Sequence, residues 1–225
     1  MAFRIVFILY PALTQLDFTG PFEVLSRVPG TEVMVASKEG GSLASETGLT
    51  FANLRKLSEI ESCDLICIPG GPGQTAAMQD AAFMDEVRRL GMSAKYLTAV
   101  CTGSLILAAS GLIKGKRAGS HWAYRDMLAA FDVIPDDSRV VRDGNLITGG
   151  GVTAGIDIAL TIAAEIANEK TAQAIQLMIE YAPAPPFNAG RPETAPQAIV
   201  DIVSERFAAF RSARQKAIAE MTEKA

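Results

Sequence analysis

The sequence is nearly empty of the residues that build metal centres. It holds one histidine, His121, and three cysteines in 225 residues. Cys63 and Cys67 have three residues between them and nothing downstream completes a site, so both read as core residues and no metal is expected. An odd cysteine count without paired spacings argues against a disulfide framework and points to a reducing cytoplasm. No apolar stretch free of charge reaches the roughly 18 residues that a membrane-spanning helix needs. The apolar start, residues 1–10, lacks a basic region and a small-residue cleavage site, so it reads as a first strand rather than a signal peptide. Basic residues are also short: 21 Lys and Arg stand against 25 Asp and Glu, giving a net charge of −4. They are scattered, with no basic stripe interleaved with aromatics, so no nucleic-acid partner is expected. There is no internal repeat and no low-complexity tract.

What remains is a chain that is 49% hydrophobic and 20% charged, able to bury one large core. Residues 3–10 form an apolar run broken only by Arg4, as expected for a strand buried on both faces. A helix is predicted next, with Thr19 as N-cap and Pro21 in its first turn, ending before Pro29-Gly30. Strands follow at 33–36 and 64–69, then a helix over 80–91, a strand at 96–100 and a helix after Cys101. The repetition predicts a doubly wound α/β sandwich with a mainly parallel sheet. Asp143-Gly144 marks a hairpin within 140–148. Helices are predicted at 152–167 and 169–180, then a proline-rich stretch at 182–190 that cannot be helical. Residues 1–190 form the core domain in this reading. Residues 191–225 form a helical extension that caps it or pairs with a second subunit.

Cys101 is the most informative residue. A β-prone run ends at it, and Thr102-Gly103-Ser104 opens a helix. A thiol at a helix N-terminus faces unpaired N–H groups and partial positive charge, which favour the thiolate and predict a lowered pKa. In open parallel sheets, ligands gather beyond the carboxyl ends of the strands. Asp17, Gly70-Gly71 and Cys101 each follow a strand, so the fold should bring them to one edge. The types fit together: a thiolate nucleophile, a carboxyl group to move protons, and backbone N–H groups at Gly71 and Thr102 to hold developing negative charge. His121 either pairs with Cys101 or lines the pocket, and the second role is preferred. Gly149–Gly151 nominally begins a dinucleotide fingerprint, but no second strand and no ribose-binding acid follow. Those glycines are read instead as letting the helix that starts at Val152 approach the cysteine, with Val152 against the substrate.

Ile68-Pro-Gly-Gly71 and Ala99-Val-Cys-Thr-Gly-Ser104 resemble the ThiJ/PfpI superfamily, relatives of class I glutamine amidotransferases. Asp17-Phe-Thr-Gly-Pro21, Ser120-His-Trp-Ala-Tyr124, the stretch 140–151 and the stretch 180–190 are together similar to its isocyanide hydratases. The resemblance implies a homodimeric, flavodoxin-like three-layer sandwich with Cys101 as nucleophile, Asp17 as acid and base, and no cofactor. Superfamily peptidases carry a His directly after the cysteine. Thr102 stands there in this chain and argues against peptide cleavage. The implied reaction adds water to a small-molecule isocyanide and yields an N-substituted formamide through a thioimidate on Cys101. The elbow also allows a glyoxalase- or deglycase-like enzyme, or a redox sensor.

Overall fold

The structure, a computed structural model, describes residues 2–223. It contains, in chain order, β1 (Phe3–Leu9), α1 (Gln15–Leu25), β2 (Thr31–Ser37), β3 (Gly41–Ala44), β4 (Thr50–Lys56), β5 (Leu65–Ile68), α2 (Gln74–Gln79), α3 (Ala81–Ser93), β6 (Tyr96–Val100) and α4 (Gly103–Ala109). Then come β7 (Arg117–Ala118), β8 (Ile134–Pro135), β9 (Val140–Asp143), β10 (Leu146–Gly149), α5 (Ala154–Ile166), α6 (Glu169–Met178) and α7 (Gln197–Thr222). Eight strands form one sheet in the order β3-β4-β2-β1-β5-β6-β10-β9. Its centre, β4-β2-β1-β5-β6-β10, is parallel, and the edge pairs β3-β4 and β9-β10 are antiparallel.

The apolar runs explain the centre of the sheet. β5 and β6 are buried at every residue, and β1 from Ile5 onward. A strand buried on both faces needs helices on both sides, and the crossovers supply them. α1 packs on α5 and α5 on α6, while α2 packs on α3 and α4. Each fully buried Leu, Ile, Val or Phe of these strands contributes about 1.5–3 kcal/mol. Cys63 and Cys67 lie in this core as free thiols, as expected. Burial pushes Cys63 up to about 11 and Cys67 up to about 12, which leaves both inert. The hairpin at Asp143-Gly144 forms as read, with Asp143 opposite Leu146. Among the described residues, no helix is long and apolar enough to cross a membrane.

Several elements differ from expectation. The first helix starts at Gln15 with Thr14 as its N-cap residue, so Thr19 and Pro21 lie inside it. Thr19 turns its hydroxyl back to the Gln15 carbonyl, at 3.1 Å. Pro21 is accommodated where α1 meets α5: Gly155 there has no side chain, and a Cβ would sit 3.0 Å from the proline ring. The segment after β2, which carried no expectation, forms the β3-β4 hairpin. Ser120-His-Trp-Ala-Tyr124, read from sequence as the start of a helical stretch, instead passes through turns at 122–124 into a 3-10 helix over Arg125–Phe131.

Candidate active site

The strands β1, β5 and β6 are neighbours in the sheet, so the segments leaving their carboxyl ends meet. Asp17, in the first turn of α1, is fully buried. Its Oδ2 accepts a hydrogen bond from the Gly70 N–H at 2.9 Å. The Gly71 N–H donates to Thr102 Oγ1 at 3.1 Å. The approach is so close that a Cβ on Gly70 would lie 2.6 Å from Thr102 N and 2.8 Å from Asp17 Oδ2. Only glycine fits there. Gly71 therefore enters the site differently from the sequence expectation. Its N–H is already committed to Thr102, which leaves the threonine hydroxyl proton free to be donated.

Cys101 sits at the strand-to-helix elbow with φ at +56°, a left-handed conformation that costs a non-glycine residue roughly 1–2 kcal/mol. The surroundings hold it there. Its N–H donates to the Gly150 carbonyl at 3.0 Å, and its carbonyl accepts from Ser104 Oγ and Ser120 Oγ, each at 3.0 Å. The next turn closes because Gly103 lets the chain pass the end of β5, where a Cβ would fall 2.1 Å from the Ile68 carbonyl oxygen.

The electrostatics correct the expectation of an acidic thiol. Burial pushes the Cys101 thiol well above its ordinary value, and the Asp17 charge pushes it further. The Thr102 N–H at the start of α4 and the Arg214 guanidinium pull the other way and do not win. Loss of water outweighs one short helix's N-terminal field. Asp17 is raised to about 7, first by burial, while the Gly70 N–H and Cys101 oppose the shift. Its Oδ1 has no hydrogen-bond partner among the described residues. Near neutral pH the Asp17 carboxyl therefore titrates beside a thiol that burial keeps protonated.

A cavity of about 250 Å³ opens onto Cys101. Thr102, Gly71, Val152 and His121 all line it, so every predicted site residue except the enclosed Asp17 reaches its wall. His121 stacks among Trp122, Tyr124 and Phe207 and accepts a hydrogen bond from the Ala123 N–H at its Nδ1, 3.3 Å away. Burial, with Arg214 adding to it, lowers His121 to about 4, so the ring is neutral at physiological pH.

Residues 3–165 match the sequence model of the DJ-1/PfpI family. The chain belongs to that family. It is 49% identical over 92% of its length to an isonitrile hydratase from Pseudomonas putida, covering 91% of that protein. It is 30% identical over 77% of its length to protein dj-1beta from Drosophila melanogaster, covering 96% of it. Among solved structures, a ThiJ/PfpI family protein from Pseudomonas syringae superposes with a TM-score of 0.94 at 39% identity, covering 97% of this chain and 91% of that one.

This DJ-1/PfpI chain closes its cavity with a part that lies beyond the family match. Phe207, Phe210 and Arg214 of α7 form one wall, facing Tyr124, with Thr14 and Glu46 on the rim. Sequence reasoning missed this wall. Its signal lay in helical spacing: Phe207, Phe210, Arg214, Ala217 and Ile218 recur every three or four residues, so Arg214 falls on the apolar stripe.

Proposed function

We propose that this chain is an isocyanide hydratase, converting R–N≡C and water to R–NH–CHO, with Cys101 as nucleophile and Asp17 as the proton-transfer group. The observation that carries the reading is buried Cys101, backed by the enclosed Asp17 and opening onto a cavity whose histidine is neutral and, among the described residues, has no carboxylate partner. The 49% identity to an isonitrile hydratase along nearly the full length of both chains supports it.

The chemistry follows from one shared proton. As Sγ attacks the terminal isocyanide carbon, Asp17 takes the thiol proton and delivers it to that carbon, giving R–N=CH–S–Cys101. A carboxyl near 7 suits both halves of that transfer. Water then adds to the imidate carbon. Its first proton passes through Asp17 to nitrogen, giving R–NH–CH(OH)–S–Cys101. Collapse forms the formamide C=O and expels the sulfur, which regains a proton from the hydroxyl through Asp17. The Thr102 hydroxyl and N–H steady the charge that builds on the substrate and on sulfur. Val152 and Tyr124 hold the organic group.

The test is formamide formation from an alkyl isocyanide by wild type and Cys101→Ala. We expect turnover in the first and none in the second, with the fold kept. Full activity in Cys101→Ala would sink the mechanism. The working form is a homodimer of a single catalytic domain, residues 1–190 with 191–225 as its helical extension. Leu177 and Phe187, left 81% and 78% exposed, are the apolar side chains such a partner would cover. The three free thiols fit a cytoplasmic location, which cell fractionation tests.

A further inference from the structure

Arg214 is the feature of the cavity that the chemistry above does not use. It is 2% exposed, and its Nε and Nη1 have no hydrogen-bond partner among the described residues. Among those residues it also forms no ion pair. One face of its guanidinium lies over the Tyr124 ring, 4.0 Å from the centroid. That stacking covers the face and leaves Nε and Nη1 without a partner among the described residues. A desolvated cation is costly unless something pairs with it. No described residue does so, and the side chain lines the same cavity as Cys101.

Resting on the hydratase reading, we infer that Arg214 is a carboxylate-binding residue and that the preferred substrate is an isocyanide carrying a carboxylate. A guanidinium edge matches a carboxylate with two parallel N–H bonds. The acid would lie against Arg214 while the isocyanide carbon meets Sγ. With His121 neutral, Arg214 is the one permanent cation in the lining among the described residues. Phe207 and Phe210 line the same cavity from α7. Glu46 is the opposing charge. It stands exposed on the rim, tied to the Thr14 hydroxyl at 2.9 Å, so solvent screens it where Arg214 is dry.

The experiment compares kcat/KM for β-isocyanopropanoate and for its methyl ester. Wild type should favour the acid by at least about tenfold, as sites built around a buried polar partner do. Arg214→Met should remove that preference, and Arg214→Lys, which keeps the charge and loses the fork, should fall between. A ratio near one in wild type, or the same ratio in Arg214→Met, overturns the inference. If Arg214→Met does not fold, the wild-type and Lys ratios decide. If neither isocyanide turns over, the hydratase reading fails. Calorimetry with N-formyl-β-alanine on Cys101→Ala, with and without Arg214→Met, then settles the subsite alone. Binding lost with Arg214 supports it, and no binding to Cys101→Ala refutes it.

Discussion

Replacing Asp17 with asparagine should make the protein's stability less dependent on pH. Asp17 is fully buried, and burial raises its pKa from an unfolded value of 3.8 to about 7. Between those values the folded protein holds a proton that the unfolded chain has released. Stability therefore falls as pH rises through that window, and the loss is complete above the folded pKa. Each pH unit corresponds to about 1.36 kcal/mol, so about three units give a loss on the order of 4 kcal/mol for wild type. The asparagine side chain has no charge to desolvate, and its amide oxygen can still accept the Gly70 N–H. The difference in unfolding free energy between Asp17→Asn and wild type should then grow by that amount from pH 4 to pH 8, whatever the constant offset of the amide. For a chain of this size, roughly 2–4 °C of Tm accompany each kcal/mol, so the Tm gap should widen by about 10 °C. Urea midpoints and thermal scans of both proteins at matched pH values read this directly. Parallel curves across the range would refute the claim that Asp17 is buried with a raised pKa.

The same pair predicts the activity profile. kcat/KM for an alkyl isocyanide should climb with a limb near pH 7, as the pair goes from two protons to one, and then hold level because burial keeps the Cys101 thiol titrating well above its ordinary value. A flat profile from pH 6 to 8 would break the shared-proton mechanism. Sedimentation at micromolar concentration should give twice the chain mass, and changing Leu177 and Phe187 together to Ser should shift it toward the monomer. A monomeric wild type would remove the dimer from the reading.

Local signals in the sequence reached far. The unbroken apolar runs located β1, β5 and β6, Asp143-Gly144 located the hairpin, and the small-residue elbow located Cys101. Each is a pattern within a few neighbouring residues. What escaped depends on distant partners. Thr19 reads as a cap because Thr suits an N-cap and Pro the first turn, yet the helix starts at Gln15 and runs through both, with Pro21 packed where Gly155 leaves room. The thiol was expected to be acidic because the helix N-terminus is visible in sequence. The cover that dries Cys101 is not, since part of it comes from α7, more than a hundred residues away. Arg214 belongs to the same class of omission: its role rests on Tyr124 and on the cavity, not on its neighbours in sequence.

The closing wall on α7 also divides the site along the chain. Asp17, Gly70, Gly71, Cys101 and Thr102 all lie in the first half of the chain, and the sheet that sets them together is complete at β10. Phe207, Phe210 and Arg214 lie on α7, well after β10 in the chain. Without α7 docked, the cavity beside Cys101 would lack the side formed by Phe207, Phe210 and Arg214. The aromatic wall of the cavity and its cation thus come together on one element, so any change that undocks α7 would remove both at once.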